Sequence, residues 1–158
     1  MHIPIVSLFS GAGGLDLGFE RVGHSILAAY DIYEPAVKTY NYNRKSDTAR
    51  LQDILNLSGQ AIVSDIKGKL PLGSALGVIG GPPCQAFSRS NVYPREDDIR
   101  RTLPGHFARI LQELSESFFV SFFVFENVQG LTFERHRDEF ARFRFLFEEA
   151  GFSIYETL

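Results

Sequence analysis

Four strand-length apolar runs constrain this chain more than any other feature: Ile3–Phe9, Ser25–Tyr30, Ala75–Ile79 and Phe118–Phe125. Helical patterns lie between and after them. Leu15, Phe19 and Val22 recur at helical spacing. Phe107, Ile110, Leu111 and Leu114 fall at i, i+3, i+4 and i+7, and Phe140, Phe143, Leu146, Phe147 and Ala150 form another stripe stopped by Gly151. Glu34-Pro35 opens a further helix with Ala36, Val37 and Tyr40 on one face. Strands alternating with helices predict a doubly wound α/β sheet. Phe118–Phe125, polar only at Ser121, is expected to be a central strand buried on both faces. Leu55–Leu72 carries mixed signals and reads as a short helix or irregular connection, and Phe152–Leu158 as the start of another strand.

A chain of 158 residues has room for one domain with a proper core. The net charge of −3 gives no electrostatic footprint for nucleic acid by itself, although a basic patch can sit on an acidic chain. One cysteine excludes an internal disulfide and a cysteine-rich zinc site, and no metal site is expected. The first apolar run is short and interrupted, unlike a secretory signal, and the longest is far too short to cross a membrane. A cytoplasmic protein is the default expectation.

The residues that follow each strand are where an open α/β sheet places its reactive groups. Ile3–Phe9 breaks into Ser10-Gly11-Ala12-Gly13-Gly14, a loop whose glycines let a ligand approach the backbone and whose following helix start offers free N–H groups. The dinucleotide pattern G-x-G-x-x-G fails, because Asp16 occupies the third glycine position. A smaller adenosine-type ligand without a pyrophosphate remains compatible, as does a plain tight turn. Asp31 ends the second strand, where such folds hold ribose hydroxyls, but it is also placed to cap the next helix. Asp53-Ile54 reads either as a strand-end acid or as ordinary loop.

Ala75–Ile79 delivers Gly80-Gly81-Pro82-Pro83-Cys84-Gln85-Ala86-Phe87-Ser88, with the chain's one cysteine on a turn stiffened by two prolines. A lone cysteine is ordinarily a small buried hydrophobe; the rigid strand-end turn favours a nucleophilic thiol. Arg89–Pro104 is a charged loop whose arginines suit either phosphates or solvent. Phe118–Phe125 ends in Glu126-Asn127-Val128, placing a carboxylate where apolar surroundings let it hold a proton as a general acid. A glutamate capped by its own turn is the plainer alternative.

Taken together, Phe9–Gly14, Pro82-Pro83-Cys84-Gln85 and Glu126-Asn127-Val128, in that order and spacing, resemble the cytosine-5 DNA methyltransferases. The resemblance covers essentially the whole chain and the first part of the family's pattern. It implies a Rossmann-like sheet binding S-adenosylmethionine. Phe9, Ser10, Gly11, Ala12, Gly13 and Gly14 would cradle the cofactor, with Asp31 on its ribose, Ile32 packed on its adenine and Asp53 and Ile54 at the adenine edge. Pro82 would lie beside the cofactor. So would Leu103, within Asp98-Ile99-Arg100-Arg101-Thr102-Leu103, which is similar to the family's D-x-R-x-x-L segment. Cys84 would be the nucleophile, Glu126 the proton partner at the base's ring nitrogen, Asn127 the residue holding that loop, and Pro83 a backbone contact to the base. Gln85 and Ser88 would contact the substrate.

The implied chemistry is attack of the Cys84 thiolate on carbon 6 of cytosine, methyl transfer to carbon 5, and expulsion of Cys84. A base inside a duplex is out of reach, so the implied partner is double-stranded DNA with a flipped cytosine. The family's later basic motif, target-recognition domain and last helix have no counterpart in these residues. The expectation is therefore a truncated core, residues 1–158, with little or no activity alone, and a complementing subunit is a candidate partner. A non-catalytic cofactor-binding remnant, an RNA cytosine-5 methyltransferase and an unrelated thiol enzyme are the alternatives. The last would need a base near Cys84, to which none of the four histidines has a motif-like spacing.

Overall fold

A computed structural model describes residues 2–83 and 99–157. Five strands, β1 (Pro4–Leu8), β2 (Ser25–Asp31), β3 (Ala49–Leu51), β4 (Ala75–Gly80) and β5 (Phe119–Phe125), form one sheet in the order β3-β2-β1-β4-β5. Every pairing is parallel. The helices are α1 (Gly14–Arg21), α2 (Glu34–Arg44), α3 (Gly59–Ile66), α4 (Leu103–Ser115) and α5 (Arg137–Glu149). This is the expected doubly wound α/β sheet. Because all strands run the same way, every strand end that carries a candidate site residue lies along one edge.

Strand alternation divides the interior into two. Ala28 and Tyr30 of β2 join a large apolar cluster with Ile62 and Ile66 of α3, Phe107, Ile110, Leu111 and Leu114 of α4, and Phe143 and Phe147 of α5. Ala29, between them, joins Val37 and Tyr40 of α2 and Ala49 of β3 on the opposite face. Much of the chain's phenylalanine content closes the larger layer. Phe107 meets Phe125 edge-on at 5.3 Å and Phe147 at 5.9 Å, and Phe123 meets Phe147 at 4.7 Å and Phe152 at 5.1 Å. Such pairs add about 0.5–1.5 kcal/mol each beyond the area they bury.

Two sequence expectations change, and one open alternative is decided in favour of the short helix. Phe118–Phe125 is not a central strand: β5 pairs only with β4 among the described residues, and Phe119 is 66% exposed. Residues 152–157 form no strand; Phe152 packs on the core and Arg144 bonds Glu156 across the segment. Within Leu55–Leu72 there is a regular helix, α3, capped by the Ser58 side chain accepting from the Ala61 N–H at 3.2 Å. No helix among the described residues is long and apolar enough to cross a membrane.

The junction of β1, β4 and α4 is tight at one point. A Cβ on Gly80 would lie 2.5 Å from the Leu8 carbonyl oxygen and 2.9 Å from the Phe107 ring, and the carbonyl, being strand backbone, cannot yield. Gly105, in the first turn of α4, has its nearest foreign atom, Leu146 Cδ1, at 4.0 Å. Gly80→Ala should therefore cost about 1–3 kcal/mol in urea unfolding, the ordinary cost of overpacking, whereas Gly105→Ala should be neutral or stabilising by up to about 1 kcal/mol through helix propensity.

Candidate functional site

The loop after β1 is shaped by residues in the left-handed region. Gly11 (φ 53°) and Gly13 (φ 88°) sit there without strain, and Phe9 (φ 54°) sits there against the preference of a bulky side chain. Gly13 precedes α1, and its carbonyl accepts the first helical bond from the Leu17 N–H at 3.0 Å. Asp31, ending β2, closes the loop from the side. Its Oδ2 accepts the Gly11 N–H at 2.8 Å and its Oδ1 accepts the Tyr33 N–H at 2.8 Å. Asp31 stands two residues before Tyr33, which caps α2, so it reaches the glycine loop rather than acting as the cap itself.

β3 pairs with β2 and ends just before Asp53, bringing Asp53-Ile54 to the same edge. Asp53 Oδ1 accepts the Leu55 N–H at 3.0 Å, and Ile54 is buried. The turn is held from above by α4: Arg109 donates to the carbonyls of Ile54 at 3.1 Å and Leu57 at 2.8 Å. Leu103, in the first turn of α4, is buried, and Ile32 after β2 is 67% exposed.

These residues fit an adenosine-type ligand. An ionised carboxylate has about four acceptor positions; Asp31 uses one on each oxygen for backbone N–H groups, which leaves acceptor capacity of the kind a ribose diol needs. The Ser10 hydroxyl in the loop is buried with no hydrogen-bond partner among the described residues, a polar atom of the kind a ligand satisfies. Asp31 and Asp53 are acidic, which suits a ligand without phosphate. S-adenosylmethionine meets that description.

The second cluster lies where β4 and β5 end together. The Glu126 N–H donates to the Gly80 carbonyl at 2.9 Å, and the Glu126 carboxyl overlies Gly81, with Oε2 2.7 Å from where a Cβ on Gly81 would stand. A side chain at 81 would displace the Glu126 carboxyl from this position, three residues before the cysteine. Asn127 Oδ1 accepts the Val128 N–H at 2.9 Å, fixing the turn after Glu126. Pro82 is buried and Pro83 exposed. Glu126 itself is exposed, so the described residues do not provide the apolar surroundings expected from the sequence. Cys84, Gln85 and Ser88 lie outside the described residues, as does Asp98 of the D-x-R-x-x-L segment.

Several residues at this edge carried no sequence signal. His106, one turn along α4 from Leu103, lies near Asp53 and Arg109; its Nδ1 is buried without a partner among the described residues, and burial, with Arg109 adding to it, pushes the imidazole's pKa down. Beneath the glycine loop, Asp16 is fully buried, accepting from Ser7 Oγ at 2.6 Å and Tyr40 Oη at 2.7 Å. That pair of bonds explains why an acid can replace the third glycine of the dinucleotide pattern: it ties α1 to β1 and α2. The helical spacing marked Tyr40 as apolar lining and could not show where its hydroxyl points.

A family model for C-5 cytosine-specific DNA methylase matches residues 3–158. The chain is 36% identical over 156 residues to the Type II methyltransferase M.FnuDI of Fusobacterium nucleatum, covering 99% of this chain and 41% of that protein. It is 32% identical over 156 residues to the Type II methyltransferase M.NgoPII of Neisseria gonorrhoeae, covering 99% and 42%. Among solved structures, a prophage-encoded E. coli protein described as a DNA modification methyltransferase superposes with a TM-score of 0.74 at 33% identity, over 93% of this chain and 38% of that one. The chain thus spans about two fifths of the length of these relatives.

The carboxyl group under the loop has a pH signature. Burial raises the pKa of Asp16 above its ordinary 3.8, against the lowering effect of the Ser7 and Tyr40 bonds. A carboxyl raised on folding stabilises the folded state below its unfolded pKa, and this contribution is lost as pH rises through the folded value. Asp16→Asn, which removes that ionisation, should therefore gain on the wild type as pH rises from 4 to 7. Urea midpoints of both proteins across that range give the measurement, and a difference that is flat or falls with pH would contradict the sign.

Proposed function

Because the chain belongs to the C-5 cytosine-specific DNA methylase family, we propose that it is the cofactor-binding and catalytic core of a DNA cytosine-5 methyltransferase. The observation that carries the proposal is the position of the Glu126 carboxyl over Gly81, on the same sheet edge as the Asp31–Gly11 bond. One edge then holds a methyl-donor subsite and an acid beside the loop that leads to the cysteine.

The donor subsite consists of Phe9, Ser10, Gly11, Ala12, Gly13 and Gly14 around the cofactor's methionine end. Asp31 takes the ribose hydroxyls, Ile32 and Leu103 pack on apolar parts, Asp53 and Ile54 meet the adenine edge, and Pro82 closes the side toward the base. When bound, S-adenosylmethionine supplies a methyl group on a sulfonium. Cys84, as thiolate, forms a bond to carbon 6 of cytosine, and the electron pair displaced from the ring double bond makes carbon 5 nucleophilic. Glu126 gives a proton or hydrogen bond to ring nitrogen 3, which takes up the developing charge. Asn127 keeps the Glu126 turn in place, the Pro83 carbonyl faces the base, and Gln85 and Ser88 contact the nucleotide. After methyl transfer the carbon 5 proton leaves, its bonding pair re-forms the double bond, and Cys84 departs with the electrons of its own bond. The base must stand outside the duplex for any of this, so the substrate is DNA with a flipped cytosine.

The matched relatives are named Type II methyltransferases, which supports a restriction-modification setting. We assign the grip on DNA to polypeptide beyond these 158 residues, in the same protein or in a complementing subunit. In the assembled enzyme, DNA carrying 5-fluorocytosine should form a denaturant-resistant adduct with the wild type and none with Cys84→Ser, whose methyl transfer should fall to background. Transfer retained by Cys84→Ser would remove the covalent mechanism. Glu126→Gln should slow transfer about 10²–10⁴-fold, the usual worth of a positioned proton donor, while S-adenosylhomocysteine still binds.

A further inference from the structure

Contacts from the β2–α2 unit hold the glycine loop at both ends. Asp31 holds the Gly11 N–H. Arg44, in the last turn of α2, holds the other end: its Nη2 donates to the Gly13 carbonyl at 3.2 Å. The same guanidinium binds Glu20 of α1 through Nε at 3.1 Å and Nη2 at 2.8 Å, and lies 3.9 Å above the Tyr40 ring. Tyr40 in turn donates to buried Asp16. One side chain thus joins the loop, the last turn of α1 and the end of α2.

The arrangement needs a reason, because it is electrostatically awkward. A cation near a helix N-terminus opposes the helix dipole, and Gly13 is the residue before α1. Two acids on α1, Asp16 and Glu20, offset this, and the Arg44 side chain is only 16% exposed. The contact also dictates the residue at 13. A Cβ there would collide with Arg44 Nη1 and stand 2.8 Å from the Tyr40 ring, so the guanidinium and ring fill the space of a side chain and press on the loop's outer surface. Tyr40 packs with Ala29, Val37 and Ala49, apart from the larger core of α3, α4 and α5.

We infer that Arg44 is a positioning residue for the cofactor: by bracing Gly13 against Glu20 and Tyr40, it holds the Ser10–Gly13 backbone in the shape that receives the ligand's methionine end. The inference rests on the S-adenosylmethionine reading of the loop. Arg44 touches no ligand and acts through Gly13. Lysine cannot replace it, because a single ammonium cannot span Gly13 and both Glu20 oxygens while stacking on Tyr40.

Calorimetric titration of the purified protein with S-adenosylhomocysteine, without any turnover, gives the test. Arg44→Ala should weaken binding about 10-fold, with Arg44→Lys in between. In the ligand-free protein the Gly11 and Gly13 amide resonances should move in the Arg44→Ala spectrum. Val37→Ala, a core truncation on the same helix, serves as the stability-matched control and should leave ligand affinity unchanged. If Arg44→Ala binds like the wild type, or loses affinity only as much as Val37→Ala, the inference is overturned. Asp31→Ala separates this failure from that of the cofactor reading. If Asp31→Ala abolishes binding and Arg44→Ala does not, Arg44 alone is wrong; if Asp31→Ala has no effect, the loop is not the cofactor site and the inference falls with it.

Discussion

The bond from the Gly11 N–H to the Asp31 carboxylate is the constraint on which the rest of the site depends. A glycine-rich turn has many conformations, and ordering it costs more backbone entropy than ordering any other residue type. A charged acceptor is the strong kind of partner for a backbone N–H, and Asp31 is carried by a strand hydrogen-bonded on both sides, to β1 and β3. The bond therefore transfers the rigidity of the sheet to the turn. The Asp53 turn is made on the same plan with other parts: α4 reaches down through Arg109 and fastens two of its carbonyls.

Legibility in the sequence followed from how local each feature is. The strand–glycine–helix opening, the acid at the end of the second strand and the Gly-Gly-Pro-Pro turn are written in consecutive residues, and the turn chemistry of glycine and proline needs no tertiary context to be read. The acceptor chosen by Gly11 is 20 residues away and had to be guessed from fold logic. Arg44 and His106 were invisible, since a polar residue at a helix end or on a helix face looks the same whether it meets solvent or a loop.

The reading of Phe118–Phe125 erred for a different reason. Side-chain pattern reports what covers the two faces of a strand, not how many neighbours it has in the plane of the sheet. β5 is apolar because α4 and α5 cover one face with Phe107, Phe143 and Phe147 and because Phe122 stacks on Phe19 on the other. That is compatible with an edge position. Glu126 shows the converse limit: an acid following an apolar strand was expected in apolar surroundings, but the strand stops before the carboxyl, which bends back over Gly81 into the open.

The strand order has a consequence for how the molecule comes into being. β1, β2 and β3 are neighbours both in sequence and in the sheet, so the glycine loop and its acid can assemble from the first fifty or so residues by short connections. β1 must then accept β4 on its other side, pairing Ile5 with Gly77 across about 70 intervening residues, and β5 joins the sheet through β4. Closing so long a loop is an entropic cost met before its contacts form, which is why such parallel pairings are slow. Emerging from the ribosome, the chain would hold the Gly11–Asp31 bond before it held an acid beside the Gly81 turn. The docking of β4 on β1 is the event that brings the Glu126 turn to the same sheet edge as the glycine loop.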